Sequence, residues 1–356
     1  MTRLLLAVAC CASLLVAAPV SAAPSCFGRE ATDPSLIGTS GADELIGTSG
    51  ADVIIARGGA DRIEGKGGND VICAGPGADV VLAGDGRDLV SGGDGPDSIS
   101  GGQGDDVLKG GIGKDHLLGG PGDDRLVGGS GDDLLSGGDG YDFVRYDGAR
   151  SGVKVDLKEL VATGGHGTDT IVGFEGVPDI EGAYGSAHAD IFIGNPSDNS
   201  FIGGRGNDRF IASLGRDLIS GGAGADTVTY ARFKVRSGVK VDLAERQAAW
   251  DGERANAHRL SSIERVVGSR FSDALVGTSR ADVLIGGAGP DAVTGSGGPD
   301  VLKGGRGGDV LAGGAGDDRL FGQAGDDELS GGRGDDVLDG GRGSDTCRGG
   351  PTLRRC

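Results

Sequence analysis

The chain has 356 residues, 76 of them Gly, a share of about 21% where ordinary globular chains carry roughly 7%. Only 14 residues are aromatic (9 Phe, 4 Tyr, 1 Trp), which excludes a single large core filled with bulky side chains. The 53 Asp and Glu against 34 Lys and Arg give a formal charge of −19, which disfavours nucleic acid and anionic membrane as partners and favours cations. Collagen is excluded as well, because Gly does not recur at every third residue and there are only 11 Pro.

Residues 1–22 read as a secretory leader. Met1-Thr2-Arg3 is a short basic start, Leu4 to Ala18 is uncharged and apolar, and Val20-Ser21-Ala22 supplies the small residues of a cleavage site after Ala22. The apolar run is too short to span a bilayer, which needs about 20 residues. Residues 23–37 are expected to form an amino-terminal cap on a repeat array. Removing the leader takes Cys10 and Cys11 with it, leaving Cys26, Cys73, Cys347 and Cys356. Four cysteines in an exported chain suggest disulfides. Of the three pairings, Cys26 with Cys73 and Cys347 with Cys356 is favoured, because each pair would pin one end of the repeat array.

That array begins at Gly38. A nine-residue unit, Gly38-Thr39-Ser40-Gly41-Ala42-Asp43-Glu44-Leu45-Ile46, recurs in register twelve times over 38–145. Its sixth position holds Asp43, Asp52, Asp61, Asp70, Asp79, Asp88, Asp97, Asp106, Asp115, Asp124, Asp133 and Asp142. A second run of five units, 185–229, places Asp190, Asn199, Asp208, Asp217 and Asp226 there. A third of nine, 268–348, places Asp273, Asp282, Asp291, Asp300, Asp309, Asp318, Asp327, Asp336 and Asp345. The eighth position is aliphatic or Phe in every unit but the one holding Cys347. One apolar residue in nine is too sparse for an amphipathic helix, and Gly at this density would be costly in one. The spacing predicts instead a strand of two or three residues around the eighth position, entered through a tight turn whose glycines take positive φ or bring backbones close.

The pattern G-G-x-G-x-D-x-U-x, with U aliphatic, resembles the RTX or haemolysin-type calcium-binding repeat, a nonapeptide of parallel β-helices. The resemblance covers about two thirds of the chain. It implies an all-β, right-handed parallel β-roll in three repeat blocks, two nonapeptides to a coil, with Ca2+ held between turns of successive coils. Its ligands would be the 25 sixth-position Asp carboxylates named above and turn carbonyl oxygens. That geometry allows at most twenty inter-coil sites, with the weakest where His188, Ser197, Phe271 and Arg280 replace the fourth-position Gly and where Asn199 replaces a carboxylate.

Elementary energetics point the same way. Ordering nine residues costs at least about 1 kcal/mol each, while one buried Leu or Ile returns about 1.5–3 kcal/mol. Stacking coils at about 4.8 Å also lines up like-charged carboxylates, each neighbouring pair repelling by about 3.5 kcal/mol at an effective dielectric of 20. Divalent cations between the turns would reverse that sign and make binding free energy folding free energy. Hard oxygen ligands in a flexible turn favour calcium over magnesium, and the four His (His116, His166, His188, His258) keep no register that would suit zinc or copper. A second Asp at the fifth position, as in Asp105, Asp123, Asp132, Asp317, Asp326 and Asp335, reads as a solvated edge.

Two inserts, 146–184 and 230–267, interrupt the array. Each opens on Tyr (Tyr146, Tyr230) and carries the same heptad SGVKVDL, at 151–157 and 237–243. Alternation of Val153, Val155 and Leu157, and of Val239, Val241 and Leu243, predicts a half-buried strand in a widened coil, and residues 171–180 and 260–267 could re-enter the roll. The span 230–270 holds nine Arg or Lys against five acids, together with Trp250. Phe192, Phe201 and Phe210 read as a core ladder. Residues 349–356 form a tail.

No catalytic constellation stands out: HExxH, G-x-S-x-G and P-loop motifs are absent, and an active site breaks symmetry where these carboxylate rows repeat. The function read from the sequence is therefore that of a secreted calcium-binding β-roll with a structural or adhesive role outside the cell, not an enzyme. The amino-terminal leader favours Sec-type export over the carboxy-terminal signal of many relatives. The alternatives are a surface or polysaccharide-binding module using the basic second insert, and an enzyme acting on polysaccharide.

Overall fold

The computed structural model describes residues 25–174, 177–232, 237–250, 257–349 and 352–356. The leader lies outside them. Period-two alternation governs each unit: in strands such as Val107–Ile112 and Arg125–Ser130 the burial runs outward, inward, outward, inward, so the eighth position and the first position of the next unit face the interior. The strands reach six residues where two or three were expected, because the Gly pair that opens the next unit stays in the backbone ladder before the chain turns.

Successive units alternate between two parallel sheets. The first holds Glu44–Ile46, Arg62–Gly67, Val80–Asp85 and Ser98–Gln103; the second holds Val53–Ile55, Val71–Cys73, Leu89–Asp94 and Val107–Ile112. Within the repeat runs the pairings join residues eighteen apart, as in Leu108 with Leu126 and Val81 with Ile99. The result is a parallel β-solenoid of two nonapeptides per coil. Between the sheets the eighth-position side chains stack into one fully buried ladder: Ile54, Ile63, Ile72, Val81, Val90, Leu108, Leu117 and onward to Leu338. Phe192 stacks on Phe210 with ring centroids 5.1 Å apart, and Phe201 lies 5.3 Å from Phe192, so the phenylalanines belong to the core as expected.

The inserts are antiparallel excursions threaded into one sheet each. In the first, Val153–Asp156, Val161–Gly164 and Gly167–Ile171 fold back on one another between Leu134–Asp139 and Ile191–Ile193 of the first sheet. In the second, Val239–Asp242, Gln247–Trp250 and His258–Ser261 do the same between Leu218–Ala223 and Ala274–Val276 of the second sheet. The last strand of each excursion occupies a regular coil position, so each insert widens its sheet by two strands, and the second widening falls on the sheet opposite the first. The duplicated heptad buries Val153, Val155, Leu157, Val239, Val241 and Leu243.

Both ends are closed. Cys26 is bonded to Cys73 and Cys347 to Cys356, the pairing favoured from sequence. The hairpin of Ser25–Cys26 with Arg29–Glu30 packs Cys26 on Val53, Ile55 and Val71 at the outer face of the second sheet, which accounts for apolar residues at positions that elsewhere face water. The carboxy-terminal tail adds a strand of its own: Thr352–Arg354 pairs with Val337–Arg342, and Arg355 is bonded to Asp339.

Candidate metal centre

The sixth-position Asp sits where the chain leaves its turn and enters the next strand, so its carboxylate lies at the edge of the roll, between stacked turns. Burial there is nearly complete: Asp106, Asp124, Asp142, Asp309, Asp318 and Asp336 are fully enclosed. One oxygen of each has a fixed task. Oδ1 accepts the backbone N–H of the sixth-position residue one coil earlier, as Asp97 does from Asp79 at 3.0 Å, Asp115 from Asp97 at 2.9 Å and Asp327 from Asp309 at 2.8 Å. Within each repeat run the carboxylates therefore form two rows of backbone-bound side chains, a use that the repeat spacing alone did not reveal.

The second oxygen divides the turns into two kinds. In eighteen units Oδ2 is buried with no hydrogen-bond partner: those of Asp61, Asp70, Asp79, Asp88, Asp97, Asp106, Asp115, Asp124, Asp133, Asp142, Asp208, Asp226, Asp291, Asp300, Asp309, Asp318, Asp327 and Asp336. A buried carboxylate oxygen with no donor carries a desolvation cost of several kcal/mol if it stays charged. In Asp43, Asp52, Asp190, Asp217, Asp273 and Asp282 the turn's own second residue supplies the donor. Thr48 donates both its N–H, at 2.6 Å, and its hydroxyl, at 2.9 Å, to Asp52 Oδ2, and Thr278 bonds Asp282 in the same way. Asp345, in the last unit, is partly exposed.

In turns such as that of Asp97 the space beside the orphaned oxygen is lined by oxygen. A Cβ built on Gly92 would fall 2.2 Å from Asp97 Oδ2 and 2.7 Å from the carbonyl oxygen of Gly110 one coil on. Carbonyls of the second and fourth positions point at the same inter-turn gap: a Cβ on Gly111 would lie 2.0 Å from Gly93 O, and one on Gly113 would lie 2.1 Å from Gly95 O. Both Gly111 and Gly113 have positive φ, at 125° and 153°, so glycine is required there by conformation and by space alike. The donor set is carboxylate and carbonyl oxygen, the chemistry of a hard cation. Among the described residues no three His, Cys, Asp or Glu side chains cluster to hold a metal; each of these eighteen turns brings one buried sixth-position carboxylate, and backbone oxygens supply the rest.

Burial, reinforced by like-charged neighbours along the row, pushes these carboxyls up. Asp97, Asp106, Asp142, Asp208, Asp291 and Asp300 rise to about 7, and Asp115, Asp124 and Asp309 to about 6. The backbone N–H held by Oδ1 opposes the rise without cancelling it.

Three acids inside the inserts extend the rows and were not singled out in the sequence. Asp169 Oδ1 accepts the N–H of Asp133 at 3.2 Å, Glu181 Oε2 that of Asp142 at 2.9 Å, and Glu264 Oε2 that of Asp226 at 2.9 Å. The signal was present: Asp169-Thr170-Ile171 and Glu264-Arg265-Val266 repeat the acid-x-aliphatic triplet of the nonapeptide, the first in phase with Asp142 and the second one nonapeptide before Asp273. The fifth-position Asp residues form a second, exposed ladder; Asp105 accepts from Asp123 N–H at 3.2 Å and Asp317 from Asp335 N–H at 2.9 Å. The second insert buries Trp250, which is 5% exposed and packs edge-on to His258 with centroids 4.8 Å apart. Its indole is therefore not a surface aromatic for the sugar-binding reading of that insert.

A family profile described as the RTX calcium-binding nonapeptide repeat (4 copies) matches residues 37–72, 74–108, 109–144, 184–219, 202–231, 267–302, 294–329 and 321–351. No curated protein matches the chain.

Proposed function

Because the chain belongs to the RTX calcium-binding nonapeptide repeat family, we propose that its inter-turn gaps hold Ca2+, that the ion is a condition of folding, and that the folded roll serves a structural or adhesive role outside the cell. The observation that carries the calcium reading is the set of eighteen buried Oδ2 atoms without a donor, with backbone carbonyl oxygens beside them in turns such as those of Asp97, Asp106 and Asp124. When bound, calcium supplies the positive charge those oxygens lack. The residues do the rest: Oδ1 fixes each carboxylate to the neighbouring coil, glycine at positions two and four admits the carbonyls, and the eighth-position ladder excludes water from one side of each gap.

Extracellular action is supported by two disulfides, which persist in oxidising compartments, and by the basic-apolar-small pattern of residues 1–22. Millimolar calcium outside the cell would then act as the folding signal. Circular dichroism of the chain without its leader, with calcium titrated against EGTA and magnesium as control, tests this. A β spectrum that develops with calcium and not with magnesium supports it; an unchanged spectrum and melting curve after exhaustive chelation refutes it.

A further inference from the structure

We infer that the second residue of each turn decides whether that turn takes an ion, and that the turns of Asp43, Asp52, Asp190, Asn199, Asp217, Asp273 and Asp282 take none. The inference rests on the calcium reading above and sorts the sites within it.

One backbone N–H has two destinations. In the turn of Asp79 the N–H of Gly75 donates to the carbonyl of Gly92 on the next coil at 2.7 Å, and Asp79 Oδ2 is left with no partner. In the turn of Asp52 the equivalent N–H, that of Thr48, swings to Asp52 Oδ2 at 2.6 Å and the threonine hydroxyl joins it at 2.9 Å. Asp43 is closed in the same way by Thr39; Ser186 and Ser269 send their N–H to Oδ2 of Asp190 and Asp273 and their hydroxyl to Oδ1, and Ser213 donates its hydroxyl to Asp217 Oδ2 at 2.9 Å. An ion entering such a sealed turn would have to displace charge-assisted hydrogen bonds. In an open turn it meets a desolvated oxygen that has none.

Two residues act as internal controls. Ser296 also stands at the second position, but with φ of 80° its hydroxyl turns to Gly277 O, 3.4 Å away, and Asp300 Oδ2 stays orphaned. Sealing therefore needs a second residue outside the positive-φ region as well as the hydroxyl. Asn199 occupies a sealed turn as an amide: its Oδ1 accepts the N–H of Asn195 at 3.0 Å and its Nδ2 donates to Asn195 Oδ1 at 3.1 Å. A turn of this kind thus closes without a carboxylate. Six of the seven sealed turns are the first two units of a run, so each run begins with turns that hold themselves shut by their own side chains.

The test compares calcium bound per chain, by equilibrium dialysis, in two double variants of the leaderless chain. Asp52→Asn with Asp282→Asn, in sealed turns, is expected to leave the bound count and the calcium-loaded melting temperature unchanged. Asp97→Asn with Asp309→Asn, in open turns, is expected to lower the count by about one ion per substitution and to lower the melting temperature. Equal loss in both pairs overturns the sorting and leaves the calcium reading standing; no loss in either removes the calcium reading itself. Should the open-turn pair fail to fold, Thr48→Gly with Thr278→Gly gives the answer in the opposite direction. It unseals two turns and is expected to bind more calcium than the unaltered chain, and an unchanged count overturns the inference.

Discussion

The hydroxyl of Tyr146 donates a hydrogen bond of 2.9 Å to Asp169 Oδ2, both buried inside the first insert. Tyr230 stands in the same relation to the second, its hydroxyl 3.1 Å from Nδ1 of His258. Asp169 and His258 fall at the register position where a sixth-position Asp would stand, beside Asp133 and Asp217 respectively. The tyrosine that opens each insert therefore fastens the strand that ends the excursion. Replacing Tyr146 with Phe keeps the ring and strips the donor from a buried carboxylate oxygen. The expected cost is about 1–3 kcal/mol, read as a lower midpoint in urea unfolding of the calcium-loaded chain; an unchanged midpoint would mean that the hydroxyl holds nothing.

Acid should substitute in part for the ion. Asp97 and Asp106 rise to about 7, first through burial and then through neighbouring carboxylates, whereas an unfolded Asp titrates near 3.9. A carboxyl whose folded pKa is raised costs the roll nothing below the unfolded value. It destabilises the roll progressively as pH climbs from about 4 through 7, because folding then requires the proton to be kept. In calcium-stripped buffer the β signal should therefore grow as pH falls from 8 towards 4.5, and the calcium concentration needed for folding should fall over the same interval, because proton and ion both favour the folded chain. A calcium-free spectrum that is flat across this range contradicts the buried, mutually repelling arrangement.

Glycine at the second and fourth positions carries a sharper expectation. Gly111, at φ 125°, would place a Cβ 2.0 Å from Gly93 O, whereas Gly148 has open space around it. Gly111→Ala combines a left-handed alanine with a backbone collision and should cost at least about 1–3 kcal/mol, seen as a fall in the calcium-loaded melting temperature. Gly148→Ala should leave it in place. Arg57, Lys66 and Gln323 take positive φ at the second position, between 77° and 81°, so a substitution to Lys at Gly111 is expected to cost more than the native Lys66 does in its own turn, where φ is 78°.

The coil period, the alternation of sheets and the identity of the core were legible from residues such as Leu108 and Asp106, because a nine-residue rhythm with one inward aliphatic admits few other packings. The disulfides were legible from their places at the two ends. The division among carboxylates was not. Asp43 and Asp61 occupy the same position of their units, and what separates them is the second residue, Thr39 against Arg57, an unconstrained letter of the motif whose meaning appears only when its N–H and hydroxyl are seen on the carboxylate. Asp169, Glu181 and Glu264 were missed for a different reason: Asp169 closes a lone unit, Gly164-Gly165-His166-Gly167-Thr168-Asp169, in phase with the first run but isolated inside an insert, while Glu181 and Glu264, one nonapeptide before Asp190 and Asp273, bring Glu for Asp without the second- and fourth-position glycines that mark a turn.

Closure of the amino-terminal end rests on the bond between Cys26 and Cys73, forty-seven residues apart. It holds a two-residue strand, Ser25–Cys26, on the outer face of Val53, Ile55 and Val71, where the hairpin alone buries too little to stay. Cross-linking a loop of that length stabilises a chain by about 2–4 kcal/mol. Cys26→Ala with Cys73→Ala should therefore speed amide exchange across residues 25–73 and lower the stability of that end, while exchange in the third repeat run stays as it was. Each coil contacts only its neighbours, so the loss should decay along the solenoid. Exchange that quickens equally at both ends would mean that the roll melts as one unit and that the amino-terminal hairpin is not a local clamp.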